Sequence, residues 1–264
     1  MDARDEKSIS QPVFSPQLTN KDPQFETTPF WEDNFDIEGA PDTSKWTFET
    51  GGSGWGNNEL QYYTNGSNAN VAGGNLIITA RRESYSGMDY TSSRMITKDK
   101  GDFLYGRIEV RAKLPKGRGT WPAIWMLYSK NNYGGWPASG EIDIMEHVGF
   151  DEDNIHFSVH TAEFNHVKGT QKSTAKIVPG ATENFHLYRL DWTPTAIRGF
   201  IDDVPYFEFL NNNTGFKTWP FDKKFFLILN IAVGGNWGGA QGVDTTVFPA
   251  SMTVDYVRAF KLIN

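Results

Sequence analysis

From Phe30 onward the chain reads as short runs in which apolar and polar residues alternate, set apart by clusters of Gly, Asn, Asp and Pro. A period of two gives one face to a core and the other outward, and the clusters are turn formers, so each run predicts a strand. The clearest are 75–82, 105–114, 155–161, 185–192, 197–202, 225–233 and 252–261. No run keeps apolar residues on a helical period across several turns. Many strands spaced by turns, without intervening helices, predict an all-β domain in which two antiparallel sheets pack as a sandwich, and they argue against a parallel α/β fold.

One strand has an unusual polar face. In 155–161 the odd positions are mainly apolar (Ile155, Phe157, Val159), while the even ones are His156, Ser158 and His160. A solvated face more often carries Lys, Glu or Thr, so His-Ser-His suits the lining of a cleft. Two His at this spacing also suit a metal, but no third ligand of suitable type stands nearby in sequence, and zinc sites use three or four.

The most informative segment is Gly140-Glu141-Ile142-Asp143-Ile144-Met145-Glu146-His147. In a regular strand 141, 143 and 145 share one face and Glu146 points to the other. A one-residue bulge at Met145 or its neighbour returns Glu146 to the face of Glu141 and Asp143, with Ile142 and Ile144 in the core. Three acids on one wall repel one another, and at least one pKa must rise. That arrangement suits glycosidic bond cleavage: Glu141 as ionised nucleophile, Glu146 as acid and then base, and Asp143 between them to position and tune. Carboxyl groups roughly 5–5.5 Å apart give retention, and a bulged strand favours that over the wider inverting geometry. An acid-rich edge strand and a calcium site are the competing readings of the same residues.

Composition narrows the partners. The 264 residues include no Cys, which excludes disulfide and thiol chemistry, and 25 basic against 32 acidic residues give a net charge of -7, which argues against nucleic acid. Apolar stretches such as 225–233 are about half the roughly 20 residues of a membrane-spanning helix, so no membrane insertion is expected. Residues 1–29 are polar, lack a signal peptide and are expected to form a tail or linker before a domain at 30–264. The Gly-Gly pairs carry no phosphate-loop Lys and precede no helix, so they read as turns and nucleotide binding is rejected. Sugars present flat C–H faces and a hydroxyl rim, which makes Trp121, Trp125, Trp136 and Trp237 candidate platforms and Asn58, Arg94 and Asn230 candidate polar contacts. Asn230 interrupts an apolar run and must either meet a ligand or complete a network.

Glu-Ile-Asp-Ile-Met-Glu, preceded by Trp136-Pro137-Ala138-Ser139-Gly140 and followed by His147-Val148-Gly149, resembles the active-site strand of glycoside hydrolase family 16, in its laminarinase-like branch. The resemblance extends over nearly all of 30–262, through 54–64 (GWGNNELQYYT), 90–94 (YTSSR), 121–127 (WPAIWML), 230–237 (NIAVGGNW) and 254–258 (VDYVR). It implies a β-jelly-roll with a concave cleft and a retaining endo-β-1,3-glucanase, secreted, periplasmic or held at the cell surface, that acts as a monomer on a polysaccharide. It also implies Glu141 as nucleophile, Asp143 as assistant, Glu146 as acid/base and His160 in support, with no cofactor for catalysis. One structural calcium on the convex side is implied at Asp255 with backbone oxygens near Asp33 and Gly74. The bulged spacing resembles laminarinases and agarases, whereas lichenases have the shorter one. Where the family often has Asp-Glu-Phe, this chain has Asp33-Asn34-Phe35. The alternatives are a non-catalytic β-glucan-binding module, against which Glu141 and Glu146 speak, a galactan hydrolase of the agar type, and additional activity on mixed-linkage β-1,3-1,4-glucan.

Overall fold

The alternating runs assemble into two sheets in a computed structural model that describes residues 22–263. The first sheet runs Lys172–Ile177, Asn154–His160, Glu141–Glu146, Thr120–Tyr128, Phe225–Val233, Arg94–Ile96 and Thr47–Glu49, with Asp102–Phe103 also on Phe225–Val233. The second runs Val204–Leu210, Ala196–Ile201, His186–Trp192, Gly106–Lys113, Ala250–Phe260, Asn75–Tyr85, Met88–Ser92 and Gln61–Tyr63, with Trp31–Asp33 and Ala69–Ala72 alongside. The sandwich expected from the pattern, with the jelly-roll form implied by the resemblance, is therefore present. One pairing differs from the all-antiparallel expectation: Gln61–Tyr63 lies parallel to Met88–Ser92. The linking chain between them contains the long Asn75–Tyr85 strand, which gives room for a crossover that a tight hairpin would not allow.

Period-two patterning accounts for the core. In Gly106–Lys113, Ile108, Val110 and Ala112 are buried, while Arg107, Glu109 and Arg111 face outward. From the first sheet, Ile142, Ile144, Ile155, Phe157 and Val159 meet this layer. Phe157 stacks on Phe207 at 4.4 Å and fits because position 199 is glycine, where a Cβ would lie 2.4 Å from the Phe157 ring. All nine residues of Phe225–Val233 are buried. One face of that strand enters the main core, and Phe226 and Ile228 form a second apolar cluster with Ile96, Trp125 and Leu127 on the opposite side.

Part of the segment expected as a tail or linker pairs with the domain. Residues 1–21 lie outside the described residues, but 24–30 is fastened to the domain. Phe25 bridges Leu262, Glu26 N–H donates to Lys261 O at 2.9 Å, and the Arg107 guanidinium lies 4.6 Å from the Phe25 ring centre. These are mostly backbone pairings, which leave no hydrophobic pattern to read. Among the described residues no helix is long and apolar enough to cross a membrane.

Candidate active site

The bulge inferred from the spacing is present in the Glu141–Glu146 strand. Against Asn154–His160 the pairs are Glu141 with His160, Asp143 with Ser158 and Glu146 with His156, so three steps on one strand match two on the other. Against Thr120–Tyr128 the pairs are Leu127 with Glu141, Trp125 with Asp143, Ile124 with Met145 and Ala123 with Glu146, which leaves Ile144 without a partner. Ile144 and Met145 are both buried, and their shared tuck toward the core restores Glu146 to the outer face. Directly opposite residues share a face. The three acids therefore stand in a row with Leu127, Trp125 and Ala123 on one side and His160, Ser158 and His156 on the other.

Geometry and burial divide the acids. Trp136 Nε1 donates to Glu141 Oε2 at 2.9 Å, and Trp121 Nε1 donates to Glu146 Oε1 at 3.1 Å. His160 Nε2 lies 3.2 Å from Asp143 Oδ2 and 3.7 Å from Glu141 Oε1. Burial is the main force on all three carboxyl groups. It pushes Glu141 well above the ordinary carboxylate range, with Asp143 adding repulsion while His160 and the Trp136 N–H oppose the rise. Burial and the charge of Glu146 likewise hold Asp143 well up. Glu146 is raised by burial, against the pull of His160 and the Trp121 N–H. Each of the three carboxyl groups therefore holds its proton to higher pH than it would in water.

A cavity of about 490 Å³ opens at the Glu146 end of this row, and Glu141 and Asp143 are not among the residues that line it. Glu146, His156, Ser158 and His160 line it, as the polar face of the histidine strand suggested, together with Trp121 and Trp237. The two rings meet edge to face at 5.6 Å. Glycine permits that approach: a Cβ at Gly238 would lie 2.8 Å from Trp121 Cβ, and Gly234 and Gly235 turn the loop with φ of 66° and 77°. At the Glu141 end, Trp136 is partly exposed and packs 4.9 Å from His166.

Other expected contact residues lie beside the cavity. Trp125 Nε1 donates to Asn230 Oδ1 at 2.7 Å, and Asn230 Nδ2 donates to Tyr63 Oη at 2.9 Å. Asn230 thus completes a network and steadies the Trp125 ring. Arg94 is sandwiched between Trp55 at 4.8 Å and Trp125 at 4.7 Å, and its Nε donates to Glu49. Asn58 has φ of 55°, and its side chain braces Asn236 at 2.8 Å; the neighbouring Asn57 lines the cavity instead. Sequence reasoning missed Asn57, Asn236, His166, Gln171 and Ser173. They come from loops, from the one-turn 3-10 helix at His166–Lys168 and from the edge strand Lys172–Ile177, where no periodicity assigns a face. The stretch Gly54–Gly56 flanking Trp55 was the available signal for a tight turn that redirects its neighbours.

Among the described residues, the one set of three His, Asp or Glu side chains close enough to share a metal is Glu141, Asp143 and His160, the row just described. On the opposite sheet, Asp255 falls at the ladder irregularity between Val254 and Tyr256, and its carboxylate pairs with Arg111. Asp33 lies opposite Val257, and its carboxylate accepts from Trp46 Nε1 at 2.8 Å. Gly74 turns the adjoining hairpin with φ of 71°.

A row of three desolvated acids on a jelly-roll sheet, walled by indole rings and amides, defines a carbohydrate-cleaving enzyme of the glycoside hydrolase class. Residues 55–258 match the family model for glycosyl hydrolases family 16. A beta-glucanase of Rhodothermus marinus is 52% identical over 254 residues, 93% of this chain and 88% of that protein. The X-ray structure of the laminarinase from Rhodothermus marinus matches with a TM-score of 0.89 at 52% identity, covering 92% of this chain and 99% of that one. A variant of a non-specific endo-β-1,3(4)-glucanase from the same family, co-crystallised with 1,3-β-D-cellotriosyl-glucose, matches with a TM-score of 0.86 at 44% identity, covering 90% of this chain and 99% of that one. The chain belongs to glycosyl hydrolase family 16.

Proposed function

We propose that the protein hydrolyses internal β-1,3 bonds of glucan with net retention, and that the bulged row Glu141, Asp143, Glu146 performs both steps. The observation that carries this reading is the register that brings all three acids to one face. The Asp143 side chain is 3% exposed and that of Glu141 15%, so the proton rests better on Asp143 and the charge on Glu141, where the Trp136 N–H also stabilises it. Glu141 attacks the anomeric carbon while Glu146, kept protonated by burial, protonates the leaving oxygen. Esterification removes the charge of Glu141. Glu146 then releases its proton more readily and, as base, takes one from the water that frees the sugar. Trp121, Trp237, Trp136 and Trp125 offer the ring faces, and Asn57, Asn236 and His156 the polar rim. The protein acts outside the cytoplasm, since a polymeric glucan cannot cross a membrane to reach it.

Reducing ends released from laminarin, with the β-anomer appearing first by NMR, are the expected result. Binding without product would indicate a recognition module, and preference for agarose a galactan hydrolase. Comparing the rate on mixed-linkage glucan measures tolerance of β-1,4 bonds.

Exchanging Met145 and Glu146 (Met145→Glu with Glu146→Met) keeps composition and length but turns a carboxyl toward the core. Hydrolysis should fall at least about 10³-fold, and unfolding free energy by several kcal/mol, because a buried acid has lost its polar partners. Near-normal turnover would mean that the bulge does not dictate which side chain reaches the cleft.

A structural calcium belongs to the same proposal. Asp255 at the break in the ladder would supply the carboxylate, with backbone oxygens near Asp33 on the paired strand and Gly74 in the hairpin turn, and Arg111 beside Asp255 competes for that carboxylate. Excess EGTA should lower the melting temperature by several degrees, restored by calcium. A melting curve indifferent to both would remove the ion.

A further inference from the structure

We propose that a second cavity, at the end of the sandwich nearest Glu141, is an auxiliary binding site for the same β-glucan polymer; this rests on the reading of the enzyme as a glucanase. The cavity measures about 490 Å³ and shares no lining residue with the one beside Glu146. Tyr105, Tyr133, Asn211, Asn213, Phe216 and Asp222 supply its principal groups. The Tyr133 and Phe216 rings stack at 4.8 Å, only 9° from parallel, and Phe216 is 43% exposed. A stacked pair with an exposed ring is a rigid, flat platform, and holding it out in water costs hydrophobic stabilisation that a core position would have gained.

Polar groups surround that platform. Tyr133 Oη donates to Asp222 Oδ1 at 2.8 Å, and Lys223 Nζ lies 2.9 Å from Asp222 Oδ2, so the lone carboxylate is neutralised and can still accept from hydroxyl groups. The Asn213 side chain makes no protein hydrogen bond among the described residues. Flat rings, a free amide and a compensated acid match the C–H faces and hydroxyls of a sugar better than an apolar or strongly charged ligand.

Position supports the polymer as occupant. Tyr133 and Trp136 belong to one loop, pinned by Ser139, whose Oγ accepts from Tyr133 N–H at 3.1 Å and donates to Gly134 O at 2.6 Å. Trp136 reaches Glu141 from the other side of that loop. A glucan chain that leaves the cleft past Trp136 would meet the stacked rings across this loop, and its second contact would be made at the high effective concentration set by the first.

Affinity electrophoresis tests this on a Glu141→Gln background, which leaves the polymer intact. In gels containing laminarin, Phe216→Ala should weaken the apparent affinity about tenfold, while Phe216→Tyr retains it. Affinity for a β-1,3-linked tetrasaccharide and the melting temperature should stay unchanged in both. Equal retardation of Phe216→Ala and its parent would overturn the site, as would an equal loss toward the tetrasaccharide, which would place the effect in the cleft. A wild-type enzyme that releases no reducing ends from laminarin would strike the glucanase reading alone, and Phe216-dependent retardation would still uphold the pocket.

Discussion

Glu141→Ala is expected to lower kcat/KM on laminarin by about 10⁴-fold or more while leaving the melting temperature within a few degrees of wild type. The loss is large because the covalent step disappears as a whole and no neighbour can replace it. Asp143 is nearest, but it is almost fully buried and burial favours its protonated form. Folding should survive because the substitution relieves a desolvated acid next to another acid rather than opening the apolar core. Circular dichroism and kinetics on one preparation decide the matter: activity within about tenfold of wild type would remove Glu141 from the nucleophile's role.

Glu146→Ala should discriminate between substrates. Laminarin has a poor leaving group and should lose about 10³-fold or more, whereas an aryl glucoside that leaves without a proton should form the glycosyl-enzyme at nearly the wild-type rate. Its breakdown should then become rate-limiting, because the base is also gone. Burial raises the pKa of Glu146, so the wild-type enzyme keeps its acid protonated to higher pH than a free carboxyl group, and activity falls as pH rises through that value. In the variant this alkaline limb should vanish from the pH profile on the aryl substrate. Equal losses on both substrates, with the limb intact, would assign the acid elsewhere.

The residues that could be read in advance share one property: their faces are dictated by strand period. The shared face of Glu141, Asp143 and Glu146 was legible because alternation, plus one extra residue, leaves few ways to keep two isoleucines buried and bring three acids to one side. The face of His156, Ser158 and His160 followed from the same rule, and Ile155, Phe157 and Val159 are buried as it requires. Where backbone conformation departs from a strand, the rule gives nothing. Asn58 has a left-handed φ and braces Asn236, and the neighbouring Asn57, which no period could single out, lines the cavity. His166 sits in the short Asn165-capped turn, and only tertiary packing carries it to Trp136. The strap formed by residues 24–30 escaped notice for a different reason, since pairing through main-chain groups is nearly indifferent to side-chain identity. Asn230 was rightly suspected of needing partners, and the partner it steadies, Trp125, could not be named from a linear chain.

The wholly buried strand Phe225–Val233 has a consequence for how the molecule comes apart. Its amides are shielded on both faces and paired on both edges, so they should exchange with solvent only when the entire domain opens. The loops that carry Trp136 and Trp237 have no comparable cover. On warming, the walls of the cleft should therefore loosen while its floor is still intact, and inactivation should begin as a reversible local event, below the temperature at which the sheets separate.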